Sequence, residues 1–537
     1  MKRLIAIMLA VLMLVATCML ASCGEETPSG TTDPTTTKGD KPTEPTTTGG
    51  DKPTEPTTGG NDSTTTPTGG NDPTTAPTGG GTPSTPGDNS GYEKLEGYLD
   101  VNFGGRTFNI VSTYDWADGV GRWDTDREIW VETRDGGVIN QAVYDRNAVM
   151  KNLYNCTIQV VRASENKGTS SYISDDVNSG TNTVDFGSYQ YGLYQSNKNG
   201  QHVNAFALDL DFDIPGWNIA YFNETTIKDS NGNPKNYRLD GTFNLSSFRA
   251  TWVLFCNLDL WEANFSDNIF DLVESREWTA DKMIEKISAV AQDNGDSEWK
   301  VGDDTFGIMT TTYNAPAIIS SFGLRFVQVQ DYTWTVSKET ILANNAVAAL
   351  DKAAELYTTQ GFYVGGYTDA QEQLQAGKTL FIGECMDVLE RMADDENLNV
   401  TVIPEPLFSS ETQDTYRTYV NNKASYYVIS KNACGGDLDM ISDFWNLYVF
   451  HSHKIVYPAF LQAFGEIYCQ NSRAVDMINI ILANRQYDYA GSSGSSYGEI
   501  GTNMQAGKNQ ISKAANSYAS KLQAAIDTLI ADMTVSE

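Results

Sequence analysis

The chain divides sharply near residue 91, and this division limits what can fold. Residues 24 to 91 hold eleven of the 17 prolines and no aromatic residue, and Ala76 is their only apolar side chain. The 446 residues that follow hold all 58 aromatic side chains. A segment with nothing apolar to bury cannot offset the entropy of ordering its backbone. We therefore expect a disordered Thr/Pro/Gly-rich linker and then a folded body over 92–537.

The first 23 residues have the pattern of a bacterial lipoprotein signal. Two basic residues precede an apolar run from Leu4 to Leu20, which is near the lower length limit for crossing a bilayer. The motif LASC at 20–23 resembles the bacterial lipobox, whose cysteine is lipidated and becomes the first mature residue. We expect a signal peptide over 1–22 and a lipid anchor (palmitate) on Cys23. Such an anchor would hold the protein on the extracellular face of the cell membrane, and a membrane span is the alternative interpretation.

The charge and the cysteines narrow the function classes. The net charge is −32, with 69 acidic against 37 basic residues. Nucleic acid is excluded as a partner because its phosphates require a basic surface, and a soluble monomer is expected. The cysteines after Cys23 are odd in number and form no CxxC motif, so we expect buried free thiols. These are Cys156, Cys256, Cys385, Cys434 and Cys469.

Metal and cofactor chemistry has little support. The chain has three histidines, and His451 and His453 lie beside a predicted helix rich in aromatic residues, so a structural role is expected for them. Residues 229–240 have part of the spacing of an EF-hand loop, but Pro234 occupies the position that requires glycine. A hairpin turn is therefore expected at 229–240. A calcium site at 293–304 stays open, and no cofactor is expected.

Apolar periodicity predicts that strands alternate with helices in the body. The spacing of strand, helix and strand near its start indicates βαβ units and a parallel sheet. From about residue 437 onward the chain is predicted to be mostly helical. Strands are predicted at 108–114, 157–163, 184–191, 251–257, 400–406 and 425–431, and helices at 139–155, 278–292 (with Thr279 as N-cap) and 344–357.

Several stretches in the same order resemble bacterial extracellular solute-binding proteins of the family 1 type, the sugar-binding lipoproteins of ABC importers. The resemblance covers roughly residues 98 to 535. The stretches that carry it are INQAVYDRNAVMKNLYNCTIQV (139–160), NIFDLVESREWTADKMIEKI (268–287), DDTFGI (303–308), LQAGKTLFIGE (374–384), VTVIPEP (400–406) and AVDMINIILANRQYDYA (474–490).

The resemblance implies an α/β, two-lobe periplasmic-binding-protein-like fold with a helical C-terminal region. The lobes would cover roughly 98–250 and 251–415, with a helical returning segment over roughly 435–537. Such proteins close around a ligand held between the lobes, deliver it to an ABC transporter permease and catalyse no reaction. The expected partners are therefore an oligosaccharide or another small solute and the permease, and no enzymatic activity is expected.

Residues just after the predicted strands are the first to inspect for binding, because ligands of open α/β sheets lie beyond the carboxyl ends of the strands. Asp185, which begins the third strand segment, and Tyr419, which precedes the last strand, are also considered. Aromatic rings can cover the apolar faces of a sugar, and carboxylates and phenols can bind its hydroxyls. For each aromatic residue, burial in the core is the competing interpretation. The candidates are Tyr114, Trp116, Tyr189, Tyr191, Trp217 and Tyr419, together with Asp185 and Glu384 as hydroxyl acceptors.

Two other functions remain compatible with the sequence. Thr/Pro-rich linkers also join the modules of polysaccharide-degrading enzymes, so a surface-associated glycoside hydrolase is one alternative. Hydrolysis would need two carboxylates about 5–10 Å apart, and the sequence contains no hydrolase signature. A glycan adhesin or sensor with the same fold is the other alternative, since a fold does not determine a function.

Overall fold

The structure, a computed structural model, describes residues 91–112, 126–164, 167–189, 197, 199–393, 395, 398–492 and 496–534. The chain divides into two units, Met1–Ala76 and Pro77–Glu537, and all described residues belong to the second. Cys23, the linker and the candidates Tyr114, Trp116 and Tyr191 lie outside the described residues.

The described chain alternates short strands with helices, as predicted. The strands are β1 (Arg106–Ser112), β2 (Cys156–Arg162), β3 (Phe186–Tyr189), β4 (Ile227–Lys228), β5 (Pro234–Lys235), β6 (Trp252–Asn257), β7 (Phe306–Thr310), β8 (Gln328–Gln330), β9 (Thr333–Thr335), β10 (Phe362–Val364), β11 (Thr379–Cys385), β12 (Val400–Ile403), β13 (Thr418–Tyr419), β14 (Tyr426–Ile429) and β15 (Arg485–Gln486).

From Leu438 onward the described chain is mostly helical, as predicted. The helices are α1 (Asp126–Ile129), α2 (Val138–Tyr154), α3 (Thr169–Ser179), α4 (Ile219–Thr225), α5 (Leu245–Arg249), α6 (Leu258–Asn264), α7 (Ile269–Glu274), α8 (Ala280–Val290), α9 (Ala315–Ser321), α10 (Lys338–Ile341), α11 (Ala346–Tyr357), α12 (Tyr367–Gln375), α13 (Val388–Met392), α14 (Leu438–His451), α15 (Tyr457–Leu461), α16 (Ser472–Ala483), α17 (Tyr489–Ser492), α18 (Ser496–Gln505) and α19 (Ile511–Thr534). Of the described helices, none is both long and apolar enough to cross a membrane.

The first sheet has the strand order β14-β3-β1-β2. Strands β1, β2 and β3 run parallel, and β1 pairs with β2 from Arg106 to Ser112. This confirms the predicted βαβ unit. The fourth strand, β14, runs antiparallel to β3, which the prediction of a parallel sheet missed. Strand β14 follows the strands of the second sheet in the sequence, and it runs in the direction opposite to β1, β2 and β3.

The second sheet has the strand order β10-β7-β11-β6-β12. Strands β10, β7 and β11 are parallel to one another, whereas β6 runs antiparallel to both β11 and β12. Every residue of β6 is buried, in agreement with its continuous run of apolar residues. The chain that enters the second sheet through β6 therefore runs opposite to its parallel core.

Local signals explain where the long helices begin and end. Thr279 caps α8, because its side chain accepts a hydrogen bond from the Lys282 N–H, and this predicted N-cap is confirmed. Helix α2 ends at Asn155, whose left-handed backbone (φ 54°) allows its N–H to reach the Lys151 carbonyl. The apolar stripe of α19, from Ile511 to Leu529, is buried.

Aromatic side chains form much of the core beside the first sheet. Phe444 on α14 packs against Phe108 on β1 with ring centroids 4.2 Å apart, and against Phe186 on β3 at 4.9 Å. Trp445, the next residue, contacts Phe186 from the side. The high aromatic content of the body is thus largely buried and joins the C-terminal helices to the first sheet.

Candidate functional site

The carboxyl ends of β10, β7 and β11 lie along one edge of the second sheet. These strands are parallel, and their register pairs Thr310 of β7 with both Val364 of β10 and Gly383 of β11. The residues that follow each strand therefore meet at this edge. In open α/β sheets this is the edge where ligands bind.

Two tyrosines stack at this edge, and we call them the tyrosine platform. Tyr313 lies three residues after Thr310, and Tyr367 lies three residues after Val364, the register partner of Thr310. Their ring centroids are 6.4 Å apart with the ring planes inclined by 13°. Tyr313 is 62% exposed. Tyr367 is half-buried, so Tyr313 is the exposed member of the pair. Near-parallel rings with one exposed member suit the apolar C–H face of a sugar.

The turn that carries Tyr313 is set by its local sequence. The Thr311 side chain accepts a hydrogen bond from the Tyr313 N–H, which caps the turn Thr312–Asn314. Helix α9 follows at once, and a proline stands in its first turn. Tyr367 is instead the first residue of α12, after Gly366 in an extended conformation. Both tyrosines thus sit at helix starts that directly follow parallel strands.

The backbone packs tightly behind the platform. The Thr310 hydroxyl donates to the Gly383 carbonyl at 2.9 Å, and the Gly365 N–H donates to the Thr310 carbonyl at 2.8 Å. A Cβ at position 383 would stand 2.8 Å from the Asn314 side-chain nitrogen. Glycine at 383 is therefore needed for Asn314 to occupy its place beneath the edge.

A buried polar chain runs beneath the turn of Tyr313. The Asn314 amide donates to Glu405 Oε1 at 3.1 Å and accepts from the Tyr357 hydroxyl at 3.1 Å. Asn314 is fully buried, and Glu405 is 1% exposed. Burial raises the pKa of Glu405 to about 7, because the charged carboxylate loses its hydration. This chain joins the loop after β12 and helix α11 to the turn.

A polar cavity of about 150 Å³ lies near the amino end of β6. Because β6 is antiparallel to β11, this end lies beside the carboxyl end of β11. Arg249, just before β6, makes a bidentate ion pair with Glu390 at 2.8 and 2.9 Å. Glu128 accepts from the Tyr427 hydroxyl at 2.6 Å and from the Ser246 N–H at 2.7 Å, and burial raises its pKa to about 7. The cavity is lined by Arg127, Glu128, 136–140, Leu245, Arg249, Glu390 and Tyr468.

The described aromatic candidates are mostly buried. Trp217 is 7% exposed and has Phe212, Phe222 and Phe243 against it, edge to face. Tyr189, at the end of β3, is 6% exposed and lies under the Arg238 guanidinium, 4.8 Å from its ring centroid. These contacts match the core interpretation more than an open stacking face, and a role in ligand binding stays a prediction for both.

The polar candidates are held by protein groups. Asp185 forms an ion pair with Arg106 at 2.6 Å and accepts hydrogen bonds from the Asn109 and Cys434 N–H groups, each at 3.0 Å. Glu384 lies within β11 rather than after it, and is fully buried. Tyr419 lies in β13, and burial raises its pKa. Their roles toward a ligand also stay predictions.

The five cysteines of the body, His451 and His453 pack against other parts of the protein. Cys156, Cys256, Cys385, Cys434 and Cys469 are free and buried, as predicted. His451 is 1% exposed with its Nε2 3.3 Å from the Tyr154 hydroxyl, and burial lowers its pKa to about 3. His453 stacks on Tyr457.

Neither acidic loop forms a metal cluster. Residues 229–233 form the hairpin turn between β4 and β5, as predicted, and Asp229 accepts from backbone N–H groups inside the turn. In the loop at 293–304, Asp304 likewise accepts from two backbone N–H groups. Within the described residues, no group of three or more His, Cys, Asp or Glu side chains could hold a metal ion.

Sequence reasoning missed both residues of the tyrosine platform. The available signals were the Thr-Thr-Tyr-Asn turn after a buried strand and the Gly-Gly-Tyr segment at 365–367. Each predicts a helix start with an exposed aromatic residue at the end of a strand. Their pairing could not be seen, because it depends on the register of two strands far apart in the chain.

Comparisons with known proteins bear on the fold. No family model matches the sequence, and no curated protein matches it. The structure is similar to that of a cyclo/maltodextrin-binding protein complexed with maltotetraose, with a TM-score of 0.52 and 12% identity over 79% of this chain and 97% of that one. A galacto-N-biose/lacto-N-biose I-binding protein of an ABC transporter from Bifidobacterium longum aligns with a TM-score of 0.47 and 10% identity over 80% and 99%. The chain therefore has the two-lobe α/β fold found in the first of these sugar-binding proteins.

Proposed function

We propose that the protein is a solute-binding lipoprotein that captures an oligosaccharide between its lobes and delivers it to an ABC importer. The observation that carries this proposal is the tyrosine platform at the carboxyl edge of the second sheet. A stacked ring pair at this edge, with Tyr313 exposed, has the chemistry and the position of a sugar-binding surface. The fold gives support, since a protein that shares it was solved with maltotetraose.

The proposed location is the extracellular face of the cell membrane, with a lipid on Cys23 as the anchor. Stable anchoring needs two acyl chains, because a single chain binds a membrane weakly. The 68 residues from 24 to 91 would reach roughly 200 Å if drawn into polyproline II. An anchored protein with this reach can bind a solute away from the membrane and still meet a permease in it.

The alternatives differ in what happens after binding. A glycoside hydrolase needs a protonated carboxyl that reaches the glycosidic oxygen. Glu128 and Glu405, whose pKa values are raised to about 7, are 2% and 1% exposed. This burial favours binding without turnover. A glycan adhesin or sensor would bind in the same way but would hand its ligand to no permease.

The decisive experiment is a ligand screen on the soluble chain 24–537. Thermal stability would be measured with maltodextrins, lacto-N-biose, other mono- and oligosaccharides, and peptides. We expect saturable stabilisation by at least one glycan and no release of reducing sugar from it. Stabilisation by peptides alone would overturn the sugar assignment, and release of reducing sugar would favour the hydrolase.

A further inference from the structure

The Asn314 side chain links the turn that carries Tyr313 to two other elements beneath it. Asn314 follows Tyr313 directly and is fully buried. Its amide nitrogen donates to Glu405 Oε1, and its amide oxygen accepts from the Tyr357 hydroxyl, both at 3.1 Å. Because both ends of this amide are bonded to other elements, the backbone of the turn cannot move without breaking one of the two hydrogen bonds.

The Glu405 carboxyl is an unusual partner for this amide. It is 1% exposed, and its Oε2 has no hydrogen-bond partner among the described residues. Tyr357 on α11 is the titratable side chain that faces it, and the two interact electrostatically. Burial raises the pKa of Glu405, and the hydrogen bond from Asn314 lowers it. No described Lys, Arg or Asp side chain affects the pKa of Glu405. A buried carboxylate here would thus lack a counter-charge.

We propose that Asn314 and Glu405 are positioning residues for the sugar site, and that through them the affinity for a glycan depends on pH. This inference rests on the proposed function. Neither residue touches the ligand in this proposal. They act by holding the turn that presents the Tyr313 ring.

The direction of the effect follows from the cost of burying a charge. Below neutral pH, the protonated Glu405 fits its dry site and accepts from Asn314 through its carbonyl oxygen. Above neutral pH, the proton passes to solvent and leaves an anion with one hydrogen bond. Water entering to solvate that anion competes for the Asn314 amide, which loosens the turn. We therefore expect weaker glycan binding at higher pH.

The test compares the soluble chain 24–537 with two carboxyl-to-amide variants. Glu405→Gln keeps the shape of the side chain and removes its ionisation. Asp304→Asn is the matched control, because Asp304 is also buried (1% exposed) but lies before the amino end of β7. Two quantities are measured at about pH 6 and about pH 8: the Kd for maltotetraose, or for the most stabilising glycan of the screen, and amide hydrogen exchange at 311–316 without glycan.

The Kd of the wild-type chain should rise about fivefold from the lower to the higher pH. Glu405→Gln should abolish this rise, and Asp304→Asn should keep it. At the higher pH, exchange at 311–316 should be faster in the wild type than in Glu405→Gln. If Glu405→Gln keeps the wild-type dependence of the Kd, or exchanges like the wild type at both pH values, the inference is wrong.

The two proposals fail in different ways. If no glycan binds but exchange at 311–316 differs as expected, the sugar assignment fails while the positioning role of Glu405 stands. Should Glu405→Gln not fold, Tyr357→Phe replaces it, because it removes only the hydroxyl bonded to Asn314. That variant should speed exchange at 311–316 at both pH values. Unchanged exchange would overturn the positioning role of the hydrogen bonds that link Tyr357, Asn314 and Glu405.

Discussion

The rings of Tyr313 and Tyr367 stack because each residue follows its strand by the same number of positions. Their strands are paired in parallel register through Thr310 and Val364, and each tyrosine lies three residues further on. Backbone hydrogen bonds therefore determine the spacing of the platform. The Tyr313 ring can therefore remain exposed without losing its arrangement relative to Tyr367.

Removing either ring should weaken glycan binding. Tyr313→Ala and Tyr367→Ala each take away one stacking face, and we expect the Kd to rise about tenfold, equivalent to about 1.4 kcal/mol. Isothermal titration with the best glycan of the screen measures this. Leu99→Ala is the control, because Leu99 is similarly exposed at 58% but belongs to the amino-terminal segment of the body. An unchanged Kd in folded Tyr313→Ala would remove the platform from the binding site.

Asp185 should affect stability more than affinity. Asp185→Ala leaves the Arg106 guanidinium and two backbone N–H groups without their acceptor. We expect a loss on the order of 2–4 kcal/mol in the free energy of unfolding, measured by urea denaturation. Asp175→Ala is the control, since Asp175 is 68% exposed in a surface pair with Lys167 and should change little. Intact stability with lost glycan binding would instead make Asp185 a ligand acceptor.

The ionisation of Glu405 should lower stability as the pH rises. Its pKa is raised from 4.5 to about 7 in the folded chain. The stabilising contribution of protonated Glu405 to the free energy of unfolding is therefore fully present below about pH 4.5. It is lost as the pH rises through about 7, by on the order of 3 kcal/mol. Glu405→Gln lacks this loss, so its stability relative to the wild type should increase across that window. A difference that does not vary with pH would contradict the assignment.

The comparison with Glu405→Gln is needed because buried histidines act in the opposite direction. Burial lowers the pKa of His202 and His451 to about 3 from 6.5. Their contribution is lost as the pH falls below about 6.5, where protons bind the unfolded chain more readily. Between about pH 4.5 and 6.5 the two effects partly cancel, so the wild-type curve alone would look flat.

The five cysteines of the body should be unreactive in the folded state. All are buried and free, and burial raises the pKa of Cys156, Cys434 and Cys469 to about 12. Thiolates are the reactive species, so a thiol reagent should label the native soluble chain slowly. In denaturant, five thiols should react. Fast labelling of any one in the native state would show an opening that exposes it.

The proposed anchor predicts a change of location. Cys23→Ala in the full-length chain should prevent lipidation and release the protein from the membrane fraction. A metabolic label with a fatty-acid analogue should mark the wild type and not the variant. Ser22→Ala is the control, because alanine also suits the position before the lipidated cysteine. Membrane retention of unlabelled Cys23→Ala would favour a membrane span instead.

Elements with strong local signals could be predicted from the sequence. The helix capped at Thr279 and the buried strand β6 stand where their residues place them. The run of α2 into β2 also predicted the first βαβ unit. In each case, propensity, capping and periodicity indicate the same structure within a window of about twenty residues.

The site was less accessible to sequence reasoning because it depends on contacts between distant segments. Trp217 was a candidate stacking residue, yet it is surrounded by other rings. Tyr313 carried a weaker signal and proved exposed. Glu405 looks like an ordinary surface acid within Pro-Glu-Pro, and only tertiary packing buries it. Burial is a property of the assembled sheet, so local patterns separate these cases poorly.

The pairing of β14 with β3 has a consequence for biosynthesis. The first sheet cannot be completed until Tyr426–Ile429 has left the ribosome, long after the edge of β3 has been made. Until then, β3 exposes unpaired backbone groups of the kind that promote misassociation. The first sheet is therefore completed only after most of the body has been made, and fragments that end before Tyr426 should aggregate.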